Sequence, residues 1–193
     1  MTLSSFRLQR RPRAVVGDAP GQAGRELLRF PLPIAVRIAV MEGNGTGFAP
    51  AANMRVFAGD DMHGLLDYAP EALVLPLGLA LAWADQKLRG LLDLPSLTCA
   101  VVGITSPHDG PMAPHHRDLL WKAFGLPVFE QLRGRDGRII ARECEVHDGL
   151  HFDETAAAEC HNSGEIVAGQ CECGIDTPRL RHRVRERSRA AAA

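Results

Sequence analysis

The sequence predicts an α/β domain: a mixed sheet flanked by helices, with a small β segment organised as a metal knuckle. Three observations carry that expectation. The middle of the chain alternates helical periodicity with short apolar, β-branched runs, the pattern of layered α/β sheets. One run, Leu97 to Thr105, is almost continuously apolar, as a strand covered on both faces must be. Further on, Cys144 and His151 lie close together, as do Cys171 and Cys173, and these four donors match the demand of a closed, tetrahedral structural zinc (Zn2+) site.

Residues 1–24 are basic and rich in Pro and Gly, with Arg7, Arg10, Arg11 and Arg13 close together, and are expected to be disordered. Residues 25–68 form a strand-containing segment, with Pro33 to Val40 and Asn53 to Ala58 as strands. Between them Glu42 to Gly47 is a turn-rich loop. Its glycines could cradle a phosphate only if a helix began at once, yet Phe48-Ala49-Pro50 starts a helix poorly and no Lys-Ser/Thr follows. A hairpin or surface loop is the expectation there.

The α/β domain is expected over residues 69–178. Within it Glu71 to Leu92 is predicted helical, its apolar run Ala72 to Ala84 forming a buried helix or helix pair. That run is too short to span a membrane and contains Pro76 and Gly78. After the strand Leu97 to Thr105 and the turn Ser106 to Pro114, Leu119, Leu120, Ala123 and Phe124 recur at helical spacing in His115 to Phe124. Leu126 to Leu132 and Arg138 to Glu143 then read as strands around the turn Gly134 to Gly137. A short helix at Ala156 to Ala158 and a loop at Asn162 to Gly164 follow. Residues 179–193, with arginines at alternate positions from Arg179 to Arg189, are expected to be a mobile tail. No aromatic residues are interleaved there for base stacking.

The bulk numbers exclude more than they suggest. A chain of 193 residues, 46% hydrophobic and 23% charged, is an ordinary globular composition. A net charge of -1 gives no general reason to expect nucleic acid or an anionic membrane as partner. Five cysteines in a chain of this size with no visible leader point to reduced thiols and a cytoplasmic location. Lys87 and Lys122 are the only lysines, which leaves few candidates for lysine chemistry.

Cys-x-Cys is a less usual half-site than Cys-x2-Cys, and its bland alternative is a set of unrelated reduced thiols with His151 merely hydrogen-bonded. Gly149 before His151 and Gly174 after Cys173 favour a knuckle in which backbone amides face thiolates. Cys160-His161 and His147 are reserve ligands, and Cys99 reads as core. A catalytic ion would need a vacant position, which three thiolates and an imidazole do not leave. No Gly-x-Ser-x-Gly elbow and no recognisable Cys–His nucleophile pair occur, and the adjacent His115 and His116 diverge on a helix.

The string Phe124-Gly125-Leu126-Pro127-Val128-Phe129-Glu130-Gln131, then Ala141-Arg142-Glu143-Cys144, Gly149-Leu150-His151 and Cys171-Glu172-Cys173-Gly174 with Pro178-Arg179-Leu180, resembles the phenylacetate-CoA ligase group of adenylate-forming (AMP-binding) enzymes over about Glu71 to Leu180. The resemblance implies a partial adenylate-forming-type fold. It also implies carboxylate activation, in which ATP and an acid give an acyl adenylate and CoA displaces AMP. Cofactor-binding roles fall on Glu130, in place of a magnesium-associated glutamate, and on Glu143, as a purine or acyl-pocket contact. The implied cofactors are ATP or AMP with Mg2+ beside the structural zinc. In such a fold Val101 to Thr105 is a buried strand ending in a Gly-containing turn.

The chain departs from that group in several places. It has no Ser/Thr/Gly-rich loop followed by Lys, no strand carrying the ribose-binding Asp, and no C-terminal lysine domain. Gly164-Glu165-Ile166-Val167 is all that corresponds to the group's Gly-Glu-Leu-Val block. The expectation is therefore a truncated, degenerate ligase-like protein that does not complete the cycle alone, and that binds a nucleotide or small carboxylic acid or assists a full ligase. The alternative is a non-enzymatic, zinc-stabilised interaction or regulatory module that docks a protein partner or a second copy through the Ala72 to Ala84 helix. Neither a membrane nor nucleic acid is expected as partner.

Overall fold

The computed structural model describes residues 32, 35–42, 53–59, 61–106, 108, 110–152, 154–160 and 164–181. Nine strands form one sheet in the order β2-β1-β3-β4-β5-β6-β7-β9-β8. The first five, β1 (Ile38–Glu42), β2 (Met54–Ala58), β3 (Ala72–Pro76), β4 (Ala100–Thr105) and β5 (Val128–Arg133), run parallel. The remaining four, β6 (Ile139–Glu143), β7 (Leu150–Phe152), β8 (Glu165–Val167) and β9 (Arg179–Arg181), pair antiparallel from β5 outward. The result is the expected mixed sheet.

In the parallel half, alternate residues feed two cores. Ala39, Met41, Leu73, Leu75 and Val101 pack with residues of α1 (Met62–Tyr68), α2 (Leu77–Leu88) and α3 (Pro114–Phe124). Ile38, Val40, Ala72, Val74, Val102 and Ile104 form the second core. Burial on both faces is why these strands read as continuous apolar runs rather than as alternating ones. Leu32 belongs to that second core.

The stretch from Glu71 to Leu92 corrects the sequence expectation. Ala72 to Pro76 is a strand hydrogen-bonded between β1 and β4, and the helix begins only at Leu77. Ala and Leu are good helix formers, but Pro76 at the helix N-cap favours extended conformation in the residue before it, and a slot between two strands outweighs propensity. Leu73, Val74 and Leu75 are wholly buried, so the first part of the Ala72 to Ala84 run lies inside the sheet and only Leu77 to Ala84 is helical. Pro33 to Val40 is likewise shifted, with β1 beginning at Ile38.

Gly103 lies inside β4 rather than in a turn, and a Cβ there would stand 2.4 Å from Met112 Cε. The helix α3 begins with Pro114 in its first turn and ends at Gly125, whose φ of 67° suits a glycine cap.

The antiparallel half has a smaller core: Leu132, Ile140, Ala141, Leu150, Phe152, Ala156, Cys160 and Leu180. Gly134 and Arg138 close the β5–β6 hairpin. A 3-10 turn, Glu154–Ala156, runs into α4 (Ala157–Cys160) at the short helix the sequence foretold. Arg179 to Arg181 is a strand, not the start of a loose tail, because its backbone is paired on both sides by β7 and β8. Residues 25–68 and 69–178 do not separate either, since β1 pairs with β3. Residues 1–24, the glycines of the Glu42 to Gly47 loop, His161 and residues 182–193 lie outside the described residues. Among the described residues no helix is long and apolar enough to cross a membrane.

Candidate metal centre and the adjoining cleft

Two turns and one strand deliver the four donors. After β6, His147 N–H donates to the Cys144 carbonyl at 3.1 Å, and His147 and Gly149 take positive φ of 57° and 90°. That reversal sends the chain back through β7, placing His151 in the sheet beside Cys144. A Cβ on Gly149 would stand 2.8 Å from the Leu180 carbonyl oxygen, so glycine is required sterically as well as conformationally. The second turn runs from Cys171 to Gly174, whose N–H donates to the Cys171 carbonyl at 2.9 Å.

The donor atoms of Cys144, His151, Cys171 and Cys173 all lie within 4.8 Å of one another. Cys144 Sγ and Cys171 Sγ are 3.8 Å apart, and Cys173 Sγ is 3.4 Å from His151 Nε2. A tetrahedral ion with bonds of about 2.3 Å to sulfur and 2.0 Å to nitrogen sets those edges near 3.8 and 3.5 Å. The quartet could therefore hold a metal ion with little movement. Cys144, His151 and Cys171 are buried, and Cys173 is partly exposed. His151 Nδ1 faces Thr177 Oγ1 at 3.1 Å, an outer partner that fixes the ring with Nε2 toward the sulfurs.

Burial pushes the Cys144 thiol above its ordinary range, Cys171 adding to the effect and a hydrogen bond with Cys173 opposing it, and burial pushes the Cys173 thiol up to about 12, with Cys171 and Cys144 adding to the effect. At Cys171 burial acts in the same direction but is outweighed by hydrogen bonds, first from Cys173, then from Cys144 and Arg179, so its thiol falls below the ordinary value. His151 titrates below its usual range, through burial and then the nearby charges of Arg142 and Arg179; a neutral imidazole is the form that binds metal.

The reserve ligands are placed elsewhere. Cys160 is buried in the antiparallel core, and burial raises its thiol to about 11. His147 pairs through Nδ1 with Glu143 Oε1 at 3.0 Å and stacks on Phe129, ring centres 5.1 Å apart. Cys99 packs against the second core of the parallel half.

Glu130 and Glu143 meet where the sheet changes from parallel to antiparallel, 1% and 3% exposed. Glu130 Oε1 accepts from Thr105 Oγ1 at 2.8 Å and from Met112 N–H at 3.0 Å. Glu143 Oε2 accepts from Arg117 at 2.9 Å and from Glu130 N–H at 2.8 Å, and Arg117 lies 3.6 Å from Glu130 Oε2. The sequence alone did not single out Arg117, a lone arginine on a helix. Two buried carboxylates around one guanidinium fasten α3 to the sheet. They also line a cleft of about 690 Å³ between α3 and the β6–β7 turn. Nearby, Asp148 takes Arg179 at 2.6 Å and Arg181 at 2.5 Å, tying that turn to β9.

Nine strands in one mixed sheet, with helices against it and a Cys3His cluster that could hold a metal ion, make up an α/β fold similar to that of an acyl-CoA ligase. No protein-family model matches the chain, and no curated protein sequence does. Nineteen chains of solved structures do. One of them is a 2-hydroxyisobutyryl-CoA ligase in an open conformation, in complex with 2-HIB-AMP and CoA, superposing with a TM-score of 0.58 at 14% identity over 82% of this chain. The chain spans 46% of that ligase's length, and at such identity the likeness defines the fold alone.

Proposed function

We propose that this chain is an acyl-CoA-ligase-like protein, of the phenylacetate-CoA ligase type, whose antiparallel half is locked by a structural zinc ion on Cys144, His151, Cys171 and Cys173. It binds an acyl or nucleotide ligand, or assists a full ligase, without completing the ligase cycle on its own. The convergence of four donors from distant segments to within 4.8 Å of one another, with two of their edges at tetrahedral values, carries the zinc part of this reading. Three thiols and an imidazole leave no position for a catalytic water, so the ion's contribution is to stability.

The ligand part rests on the likeness to a ligase. In it, Glu130 stands in place of the magnesium-associated glutamate and Glu143 contacts a purine or acyl group. Isothermal titration with ATP, AMP and CoA tests it: a micromolar response lost in Glu130→Ala supports the proposal, and silence toward all three removes it. A second reading, a non-enzymatic zinc-stabilised module, is favoured by one observation. The oxygens of Glu130 and Glu143 are already engaged by Thr105, Met112, Arg117 and His147, and a magnesium ion would have to displace one of these.

A further inference from the structure

We propose that the cleft between α3 and the β6–β7 turn is a binding site for a primary amine carried on an apolar body. The inference depends neither on the zinc ion nor on nucleotide binding. Met112, Val128 and Leu150 give the cleft a buried apolar floor, and Trp121 stands on its wall with 64% of its surface exposed. An indole left open beside an apolar floor is a recognition surface of the kind small-molecule sites use.

The polar groups on the wall decide what it recognises. Glu143 as a carboxylate can only accept, so in the neutral His147 ring the proton sits on Nδ1, the nitrogen 3.0 Å from Glu143 Oε1. Nε2, at the other end of the ring, is then an acceptor. Stacking on Phe129 and a left-handed backbone at φ 57° hold the ring in that pose. Asp118, on the α3 wall, is exposed and has no ion pair or hydrogen bond among the described residues.

The cations on the wall are matched. Arg117 serves Glu143 and Glu130, and Arg181 serves Asp148. With Asp118 added, the wall carries an excess of negative charge. What it offers a ligand is an imidazole acceptor, an unpaired carboxylate and an indole face. An ammonium group supplies the complement: donors for the two acceptors, and a positive charge for both the carboxylate and the ring quadrupole. A carboxylate of the same shape finds both guanidiniums of the wall already bound to acids.

Calorimetric titration of the full chain as purified with 2-phenylethylamine and, separately, 3-phenylpropionate tests this charge preference on a matched skeleton. The amine should bind, with the acid at least about tenfold weaker, and Asp118→Asn and Trp121→Ala should each weaken the amine by about fivefold or more. Both positions are exposed, so unchanged circular dichroism and melting temperature will show that the variants fold. An acid that binds as well as the amine, no amine response up to about 10 mM, or variants that bind like the parent each overturn the proposal. A response to ATP with none to amine removes this inference and leaves the nucleotide reading standing; an amine response with silence toward nucleotides does the reverse.

Discussion

The two halves of the sheet are stabilised in different ways. The parallel half is five strands and three helices around two apolar cores, with Ile38, Met41, Leu65, Leu73, Leu75 and Leu120 wholly buried. The antiparallel half has three strands of only three residues each and one small core. Its buried interior includes His151, Glu143 and Arg179. Strands this short carry few ladder bonds and little apolar area, so polar links assume the work: Asp148 to Arg179 and Arg181 and, in the reading proposed above, an ion on the Cys3His quartet. Hydrophobic burial can hold a long parallel sheet without help, whereas a small β extension at its edge needs a staple.

The strongest way to break that contrast is Cys171→Ser. It should abolish metal binding and lower the melting temperature by about 10 °C or more, as a loss of several kcal/mol would in a chain of this size. Hydrogen exchange should accelerate in β7, β8 and β9 and stay slow in β3 and β4; uniform acceleration would show that the halves are not distinct. Arg117→Ala acts at the joint. It strands two buried carboxylates and should cost about 3–5 kcal/mol, read by denaturant unfolding, with metal content unchanged.

Leu73→Ala belongs to the parallel half alone. A cavity at this fully buried site should cost about 3 kcal/mol and leave metal affinity as it was. Thr177→Val should do the opposite, lowering metal affinity about tenfold or more in a chelator competition with little change in apo stability, since it removes only the partner of His151 Nδ1.

The pH dependence of metal affinity sharpens the same point. Cys144 and Cys173 are protonated at neutral pH because both thiols are raised, so binding releases protons and affinity should climb as pH rises from 6 toward 8, roughly in the manner of thiolate sites. His151, lowered, should contribute little to that slope. An affinity that is flat or falls with pH would exclude the thiols as ligands.

What the sequence disclosed follows the same division. That Cys144, His151, Cys171 and Cys173 form one cluster was legible because each half of it is local in sequence. The strand β4 was legible because burial on both faces leaves an apolar run. β3 was not: Ala72-Leu73-Val74-Leu75 has helical composition, and only its neighbours β1 and β4 make it a strand. Arg179 looked like part of a charged tail because its partner, Asp148, lies far away in sequence. His147 looked like a spare ligand because no sequence feature announces a left-handed residue that turns its ring toward Glu143 and Phe129. Arg117 acquired its role only when β5 and β6 brought two carboxylates beneath it.

Metal analysis of the chain purified under reducing conditions tests the central claim most directly. One equivalent of zinc per chain, retained through dialysis and lost in both Cys144→Ser and Cys171→Ser, is the predicted result. A well-folded chain that holds no divalent ion, with Cys144 and Cys171 reacting independently as ordinary thiols, would contradict it.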